Sequence, residues 1–298
     1  MSETPTLGFI GLGVMGSGMC ANVASKHNAP VYAFDMVATA LEAACHAGAV
    51  RADSVAEVAA KADIICLSLP GGAQVSAVCA EIASVARIST TVIDLSTTSV
   101  AEARTIAGKL AEKNMAFADA PVARTRQAAI EGKLSIMVGA PDDLFARIEP
   151  VLCYMGSDVT HCGDVGCGQV VKLINNTLNF VHVLILAEMM VTGERAGVDG
   201  QRLLEAVSKG SGDSFILRNH GFKAMVPRDF PEKSFPPEYV LKDIGYSIEL
   251  AKDMGVKPEL SELTQKYYEL AVENGLGGRY FPAVIELIEK GITPKGEA

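Results

Sequence analysis

The chain has 298 residues, of which 49% are hydrophobic, and it carries 26 basic side chains against 35 acidic ones. At about 150 residues per domain the length predicts two domains, and the apolar fraction is large enough for a sizeable core. The net charge of −9 repels a phosphate backbone, so we do not expect general binding to nucleic acid. High hydrophobicity without low-complexity tracts also excludes disorder over most of the chain.

Neither a membrane span nor a secretory leader is predicted. The longest apolar run without charge, residues 173–187, contains three asparagines and a histidine and is too short and too polar to span a membrane. The N-terminus has no basic region and runs directly into a strand pattern, unlike a signal peptide. The seven cysteines lack CxxC spacing and indicate reduced thiols in a cytoplasmic protein. His161, Cys162 and Cys167 match no standard metal spacing, so no metal is expected.

The first half of the chain alternates short apolar runs with helical patterns. Continuous apolar strands between helices are typical of a parallel sheet that is buried on both faces. This is the doubly wound α/β pattern. The predicted strands are 7–10, 31–34, 62–68, 91–94, 116–119 and 135–138, and the first two predicted helices are 14–26 and 39–46.

The pattern changes near residue 163, after which the strand patterns stop. Glycine and proline then separate purely helical patterns, and residues 226–237 are the least regular stretch. The sequence therefore predicts an α/β fold, with a Rossmann-type doubly wound sheet in residues 1–163 and an all-helical substrate and oligomerisation domain in residues 164–298. The predicted helices of this second domain are 169–196, 202–208, 239–254, 259–274 and 282–289.

A glycine-rich turn follows the first predicted strand and opens the first predicted helix. In its GxGxxG pattern the first glycine makes the turn, the second admits a pyrophosphate and the third permits close helix packing. The free N–H groups at the helix start attract an anion. A glycine-rich turn without a ligand is the alternative. The residues predicted to hold the dinucleotide phosphates are Gly11, Leu12, Gly13, Val14, Met15 and Gly16.

Asp35 ends the second predicted strand, 19 residues after Gly16. A carboxylate at this spacing accepts hydrogen bonds from the adenosine ribose hydroxyls and repels a 2′-phosphate. No arginine follows it directly, so the sequence predicts NAD rather than NADP as the cofactor. The alternative is an aspartate that caps the next helix.

A polar stripe lies on the long helix predicted for the second domain. Lys172, Asn175, Asn176 and Asn179 follow one another at i, i+3, i+4 and i+7, so they share one face. These side chains are costly on an apolar helix unless they meet polar partners, which a cleft between the two domains would supply. Burial beside a cofactor would lower the pKa of Lys172 and make it a proton donor or acceptor near neutrality. The alternative is a solvated stripe with Lys172 on the surface.

Four segments together resemble one enzyme family over nearly the full length. They are GFIGLGVMGSGMCANV from Gly8, DAPVARTRQAAIEGKLSIMVGA from Asp119, GCGQVVKLINN from Gly166 and LKDIGYSIELAKDMGV from Leu241. In that order they are similar to the cofactor turn, the substrate segment, the catalytic helix and the C-terminal helix of β-hydroxyacid dehydrogenases. This is the family of 3-hydroxyisobutyrate dehydrogenase and tartronate semialdehyde reductase, and the resemblance implies a dehydrogenase or reductase that acts on a CH–OH group.

The resemblance implies a role for each matching residue. Lys172 would be the catalytic acid and base, Asn175 would hold the substrate near it, and Asn179 would help to complete the pocket. Lys242 would reach over the cofactor, although the pair Lys242-Asp243 by itself indicates a solvated surface pair. The residues that would line the nicotinamide side of the cofactor site are Leu69, Pro70, Gln74 and Thr97.

One segment departs from the family pattern. After Pro-Val the family usually has Ser-Gly-Gly, whereas this chain has Ala123, Arg124 and Thr125. A guanidinium favours bidentate binding of an oxyanion, and the variant is similar to the segment of sulfolactaldehyde reductase. We therefore expect these three residues to bind the acid group of the substrate, which speaks against simple 3-hydroxyisobutyrate activity. The alternative is that Arg124 pairs with a carboxylate of the protein.

Taken together, these features predict an NAD-dependent oxidoreductase that interconverts a small anionic β-hydroxy acid, or a hydroxy-sulfonate, and its semialdehyde. Sulfolactaldehyde-type and tartronate-semialdehyde-type substrates are the first candidates. The alternatives are a 3-hydroxyisobutyrate dehydrogenase or a non-catalytic dinucleotide-binding member of the fold. The resemblance also implies a homodimer or homotetramer built on the long helices, and we expect no nucleic-acid or membrane partner.

Overall fold

The computed structural model describes residues 4–232 and 234–294 and separates the chain into two compact units, Met1–Lys172 and Leu173–Ala298. The sequence pattern predicts the domain boundary near residue 163. The structure places the boundary after Lys172, so residues 164–172 belong to the first unit. The reason is local, because the first turn of the long helix is hydrogen-bonded to the end of the sheet through Gln169.

Within the described residues, a sheet of nine strands organises the first unit. The strands are β1 (Leu7–Ile10), β2 (Val31–Phe34), β3 (Val50–Arg51), β4 (Ile64–Leu67), β5 (Thr91–Asp94), β6 (Ala116–Asp119), β7 (Val122–Ala123), β8 (Leu134–Gly139) and β9 (Gly156–Gly163). Their spatial order is β3-β2-β1-β4-β5-β6-β8-β7, and β9 pairs with β8. This order reverses between β1 and β4, which is the switch point of a Rossmann-type sheet.

The sheet is parallel from β3 to β6, as the apolar runs predict. β8, however, runs antiparallel to β6 and β7 and parallel to β9. The expected parallel arrangement is therefore confirmed from β3 to β6 and is wrong for the pairing of β8 with β6. The sequence pattern also does not predict β3, β7 or β9. β3 and β7 have two residues each, and β9 carries mostly polar residues that are exposed or half-buried.

Helices cover this sheet, and three of them begin at a side chain that accepts a hydrogen bond from the first turn. Ser54 accepts from the Glu57 N–H, Ser99 from the Glu102 N–H and Thr125 from the Ala128 N–H. Such caps satisfy N–H groups that have no partner within the helix. The helices are α1 (Gly16–Lys26), α2 (Ala38–His46), α3 (Val55–Lys61), α4 (Gly72–Val85), α5 (Val100–Ala111), α6 (Arg126–Glu131) and α7 (Asp142–Leu152).

Two hydrophobic clusters pack on the two faces of the sheet. Phe9 and Ile93 belong to one cluster, whereas Ile65, Leu67 and Val92 belong to the other, since successive strand residues point to opposite faces. Full burial of one such side chain contributes about 1.5–3 kcal/mol to stability. The central strands are therefore buried on both faces, as the sequence predicts.

The second unit is helical. Its elements are α8 (Cys167–Arg195), which begins in the first unit, α9 (Gly200–Val207), α10 (Pro237–Asp253), α11 (Glu259–Ala271), α12 (Ile285–Glu289), π-helical turns over Leu217–Met225 and Val272–Leu276, and a 3₁₀ turn over Phe281–Val284. Over residues 173–232 and 234–294 the structure contains no strand, only an isolated bridge between Glu232 and Arg279. The all-helical prediction is confirmed for these residues, although the pattern does not predict the helix at Leu217–Met225.

An aromatic core and a double ion pair hold the second unit. The Phe180 ring packs edge to face against Tyr268 and Phe281, with centroids 6.3 and 5.8 Å away. Aromatic pairs of this kind contribute about 0.5–1.5 kcal/mol beyond their buried area. Arg228 lies 2.7 Å from carboxylate oxygens of both Glu194 and Glu289, which ties α8 to α12.

Helix α8 is longer than the apolar run that the sequence suggests. It has 29 residues, and its most apolar window has a mean hydropathy of 1.5, which is long and apolar enough to cross a membrane. A core helix of a soluble protein passes the same test, and the start of α8 is hydrogen-bonded to the sheet through Gln169. One such helix is weak evidence for a span, and the absence of a membrane partner stays a prediction.

Candidate active site

The glycine-rich turn lies between β1 and α1, and two of its glycines are required by the fold itself. Gly11 has a φ of +93°, and a Cβ atom there would overlap the carbonyl oxygen of Ser68. A Cβ atom at Gly16 would overlap the carbonyl oxygen of Gly11. These two positions therefore allow β1, the turn and α1 to pack closely against the end of β4.

Gly13 differs from the other two glycines because a Cβ atom there would meet nothing within 4 Å. No neighbouring part of the protein among the described residues requires a glycine at this position. The side chain of Met15, which precedes α1, caps none of the N–H groups that the structure describes at the helix start. Open space beside an uncapped helix N-terminus is the arrangement that a pyrophosphate needs, so these residues fit a dinucleotide.

Asp35 joins the end of β2 to the glycine-rich turn. One carboxylate oxygen accepts a hydrogen bond from the Leu12 N–H at 2.6 Å, and the other accepts one from the Val37 N–H at 2.7 Å. The second bond reaches Val37, which precedes the first turn of α2, so it does not cap that turn, and the capping alternative stays a prediction. A carboxylate oxygen can accept two hydrogen bonds, and each oxygen of Asp35 accepts one here. Because Asp35 is only half-buried, it can still accept hydrogen bonds from ribose hydroxyls.

The other predicted cofactor residues of the first unit follow the carboxyl ends of β4 and β5. The Leu69 N–H donates to the Ser96 hydroxyl at 2.9 Å, which holds the loop after β4 against the loop after β5. Pro70 lies in the first loop, Gln74 is exposed in the first turn of α4, and Thr97 is half-buried in the second loop. The structure thus brings these predicted residues to the sheet edge where dinucleotides bind in Rossmann folds.

Lys172 lies in the second turn of α8 and its side chain is buried, with 8% of the residue exposed. Lysine is rarely buried to this extent unless it is paired or has a functional role. The structure therefore contradicts the alternative of a solvated surface lysine.

In the next turn of α8, the buried asparagine is not Asn175, to which the resemblance assigns substrate binding. Asn175 is exposed, whereas Asn176 is buried and donates a hydrogen bond to the Asp243 carboxylate at 2.7 Å. The interpretation of Lys242-Asp243 as a solvated surface pair is wrong for Asp243, of which 3% is exposed; Lys242 lies 3.4 Å from its other oxygen. The polar spacing places Asn176 on the same face as Lys172 and Asn175 without distinguishing the two asparagines, and no sequence signal identifies Asp243 as the partner of Asn176.

Asn179, one turn further along α8, is half-buried. Its side-chain oxygen is shielded from solvent and has no hydrogen-bond partner among the residues that the structure describes. A buried acceptor without a partner costs about 1–3 kcal/mol, unless a ligand supplies the donor. This geometry is compatible with the predicted role of Asn179 in substrate binding.

Arg124 is engaged by the protein itself. Its guanidinium donates to the Lys133 carbonyl at 2.7 Å and to the Ser157 hydroxyl at 2.9 Å, and it forms a 2.7 Å ion pair with Asp158. Hydrogen bonds from Ser157 and Arg124 lower the pKa of the Asp158 carboxyl. The alternative in which Arg124 pairs with a protein carboxylate therefore describes the structure, and a substrate contact of Arg124 stays a prediction.

The backbone at Arg124 has a conformation that glycine adopts without strain. Its φ of +87° lies in the left-handed region, which residues other than glycine adopt at a cost of about 1–3 kcal/mol. Ala123 lies in β7, and the Thr125 hydroxyl caps α6 by accepting from the Ala128 N–H at 3.3 Å. The segment therefore places an arginine in a backbone conformation that glycine adopts freely, at a position where the family it resembles usually has glycine.

His161, Cys162 and Cys167, whose spacing matches no standard metal site, belong to no cluster of possible metal ligands among the described residues. Over residues 4–232 and 234–294, no group of three or more His, Cys, Asp or Glu side chains is arranged to hold a metal ion. His161 instead hydrogen-bonds to the Ala140 carbonyl at 2.7 Å and stacks on Phe145.

The Rossmann-type sheet, the glycine-rich turn and the acidic end of β2 define a nicotinamide-dinucleotide-dependent oxidoreductase. Family models agree: residues 6–163 match the NAD binding domain of 6-phosphogluconate dehydrogenase, and residues 166–288 match the NAD-binding domain of NADP-dependent 3-hydroxyisobutyrate dehydrogenase. The chain belongs to the β-hydroxyacid dehydrogenase family, whose members act on CH–OH groups.

Named relatives cover almost the whole chain. 2-(Hydroxymethyl)glutarate dehydrogenase of Eubacterium barkeri is 33% identical over 99% of this chain and 99% of its own length. The mitochondrial 3-hydroxyisobutyrate dehydrogenase of Homo sapiens is 31% identical over 98% of this chain and 89% of its own. The structure of 3-hydroxyisobutyrate dehydrogenase from Mycobacterium tuberculosis with L-serine superposes with a TM-score of 0.89 at 29% identity, covering 96% of this chain and 99% of that one.

Proposed function

We propose that this chain is an NAD-dependent oxidoreductase that interconverts a small anionic β-hydroxy acid, or a hydroxy-sulfonate, and its semialdehyde. The observation that carries the proposal is the burial of Lys172, with 8% exposed, in the second turn of α8. Buried ionisable groups on polar helix faces are concentrated at functional sites. Lys172 acts as the general acid in reduction and as the general base in oxidation.

The chemistry divides between the cofactor and the protein. A bound nicotinamide supplies or accepts the hydride. In reduction the Lys172 ammonium donates a proton to the carbonyl oxygen of the semialdehyde, and in oxidation the amine accepts the hydroxyl proton. Asn176 follows Lys172 by four residues on the same helix, and its bond to Asp243 fixes the orientation of its amide. Asn179 offers a buried carbonyl oxygen to a donor group of the substrate.

The relatives support the substrate class without selecting one member. 2-(Hydroxymethyl)glutarate, 3-hydroxyisobutyrate and L-serine, which their names contain, all carry an acid group and a hydroxyl on the β carbon. We propose sulfolactaldehyde-type or tartronate-semialdehyde-type substrates, because Arg124 adds a cation at a position where the family usually has glycine. A 3-hydroxyisobutyrate dehydrogenase is the second candidate, favoured by the names of the relatives.

The substrate proposal predicts a selective effect at Arg124. We expect Arg124→Gly to lower kcat/KM for the preferred substrate more than for other small acidic aldehydes, while stability is preserved because glycine adopts the positive φ without strain. The measurement is an NADH-oxidation screen that includes a sulfonate and a carboxylate of matched size.

Asp158→Asn is the matched control for Arg124, because it breaks the same ion pair and leaves the guanidinium in place. If Arg124 binds the acid group, Asp158→Asn keeps or strengthens substrate binding, whereas Arg124→Gly weakens it. Equal losses in the two variants would show that only the ion pair matters and would refute the substrate role of Arg124.

The cofactor proposal predicts that NADH gives the higher kcat/KM of the two reduced cofactors, because the Asp35 carboxylate repels a 2′-phosphate. Asp35→Asn keeps an acceptor for the Leu12 N–H and removes the charge, so the NADH-to-NADPH ratio of kcat/KM should fall about tenfold. Steady-state kinetics with both cofactors measure this ratio. A wild-type preference for NADPH would contradict the proposal.

We also propose a homodimer or homotetramer. The side of α8 that carries Val171, Ile174, Leu178, Ile185 and Met189 exposes about half of each side chain on average, at spacings close to one or two helical turns. An exposed apolar stripe of this kind is typical of an interaction surface, and a second copy of α8 offers a matching stripe. The cytoplasmic location stays a prediction.

A further inference from the structure

Two aspartates end neighbouring strands at the carboxyl edge of the sheet. Asp94 ends β5, Asp119 ends β6, and the two are paired in register and fully buried. Asp94 accepts a hydrogen bond from the Ser96 N–H at 3.0 Å, while its other oxygen has no partner among the described residues. The two carboxyl groups therefore lie on neighbouring strands and are equally buried, but they accept different hydrogen bonds.

Asp119 holds the start of α8. Its two oxygens accept hydrogen bonds from the Gly166 N–H at 2.6 Å and from the Gln169 N–H at 2.8 Å. The first N–H groups of a helix have no partner within the helix, and a carboxylate beside them is stabilised by the helix dipole. Asp119, at the end of β6, therefore caps the start of α8. It precedes Gly166 by 47 residues and Gln169 by 50 residues in the chain.

Two glycines make room for this carboxylate. A Cβ atom at Gly139, which pairs with Asp119 in the sheet, would overlap a carboxylate oxygen. A Cβ atom at Gly168 would lie 2.8 Å from the other oxygen and would also overlap the Met137 carbonyl. Because both neighbours lack side chains, the first turn of α8 lies directly against Asp119.

The side chain of Gln169 connects the same helix turn to the loop after β5. Its oxygen accepts a hydrogen bond from the Thr98 N–H at 3.1 Å, and its nitrogen donates to the Ser96 carbonyl at 2.8 Å. The Ser96 hydroxyl in turn accepts from the Leu69 N–H. Gln169 thus fixes α8 to the loops that carry predicted nicotinamide contacts, and Lys172 follows it by three residues.

We propose that Asp119 is a positioning residue for Lys172, acting through the first turn of α8. The inference rests on the proposed acid and base role of Lys172. A rigid helix transmits the position of its first turn to Lys172, and a displacement of about 1 Å costs about a hundredfold in rate. Asp119 itself touches neither substrate nor cofactor in this assignment.

The protonation state of Asp119 sets the conditions of the test. Burial raises the pKa of Asp119 to about 6, although the hydrogen bonds from Gly166 and Gln169 oppose the rise. Burial also raises the pKa of Asp94 to about 7, with repulsion from Asp119 and Glu102 adding to it. Arg104, on α5, donates a hydrogen bond to the carbonyl of Val165, which precedes α8, at 3.3 Å. Assays at pH 8, above both pKa values, favour the ionised form of both carboxyl groups.

The test compares Asp119→Asn with Asp94→Asn. The amide that Asp119→Asn introduces would turn a donor toward one of the two N–H groups, so the helix start would lose a hydrogen bond and a charge. We expect kcat of Asp119→Asn to fall about 10- to 100-fold, with KM for NADH within about twofold, because Gln169 still holds the cofactor loops. Asp94→Asn, which contacts no part of α8 through its described hydrogen bonds, should keep kcat within about threefold.

Hydrogen exchange and a double variant separate positioning from general damage. In Asp119→Asn the amides of residues 166–172 should exchange faster, and they should not in Asp94→Asn. In a Lys172→Met background Asp119→Asn should lower the residual turnover by less than about twofold, because the misplaced group is already gone. Equal losses of kcat in both variants, or the same loss with and without Lys172, would overturn the inference.

Failure of the proposed function has a different signature. Full turnover in Lys172→Met would refute the acid and base role of Lys172 and, with it, positioning of Lys172 by Asp119. Loss of turnover in Lys172→Met together with unchanged exchange of residues 166–172 in Asp119→Asn would leave the proposed function intact and overturn only the inference about Asp119.

Discussion

Lys172→Met is expected to lower kcat by about 10²- to 10⁴-fold while the fold and NADH binding are retained. Methionine keeps most of the apolar stem that is buried in α8 and removes the ammonium group, so the change deletes the proton donor without opening a large cavity. The measurement combines steady-state kinetics with NADH fluorescence titration and thermal unfolding.

Lys172→Ala is the companion variant. It also removes the proton donor, but it leaves a cavity, so its unfolding temperature should be lower than that of Lys172→Met while its turnover is equally low. A low turnover in Lys172→Ala together with a near-normal turnover in Lys172→Met would contradict a proton-transfer role. Turnover would then depend on stability and not on the ammonium group, and Lys172 would be a packing residue.

The buried strands could be predicted from the sequence because burial on both faces leaves a direct signal. β1, β2, β5 and β6 have the bounds that the apolar runs indicate. β9 could not be predicted in this way, since it consists mostly of polar residues that are exposed or half-buried, although it pairs in parallel with β8. Its pairing with β8 is a tertiary interaction that no local pattern encodes.

The missed strand also explains why the role of Arg124 stayed open at the level of sequence. Asp158 and Ser157, the side chains that bind the guanidinium, belong to β9. Without β9 in the sheet, the sequence favours a substrate acid group as the partner of the guanidinium and leaves a protein carboxylate as the alternative. The positive φ of Arg124 is likewise set by the turn between β7 and α6, which only the three-dimensional structure reveals.

The polar stripe on α8 shows a similar limit. Spacing places Lys172, Asn175 and Asn176 on one face, but residues at i+3 and i+4 differ by about 100° around the helix axis. Which of the two asparagines is buried depends on Asp243, 67 residues further along the chain from Asn176. Local periodicity therefore predicts the face, and a distant carboxylate selects the residue.

The second large effect is expected at the glycine-rich turn, where Gly13→Ala should weaken NADH binding about 10- to 100-fold and leave the unliganded protein as stable as the wild type. A Cβ atom at Gly13 meets nothing within 4 Å in the protein, so the fold accepts it. The same atom occupies the space through which the pyrophosphate approaches the backbone. Isothermal titration with NADH and unfolding without ligand measure the two effects separately.

Two further glycines provide controls with opposite expectations. Gly16→Ala places a Cβ atom on the Gly11 carbonyl oxygen and should destabilise the unliganded protein by about 1–3 kcal/mol. Gly108→Ala, in the interior of α5, also meets nothing within 4 Å and should stabilise the protein by about 0.5–1 kcal/mol without changing NADH affinity. If Gly13→Ala bound NADH as Gly108→Ala does, the open space at Gly13 would not be the phosphate site. The unchanged stability of Gly13→Ala would then exclude misfolding as the explanation, so the dinucleotide would have to bind elsewhere along the carboxyl edge of the sheet.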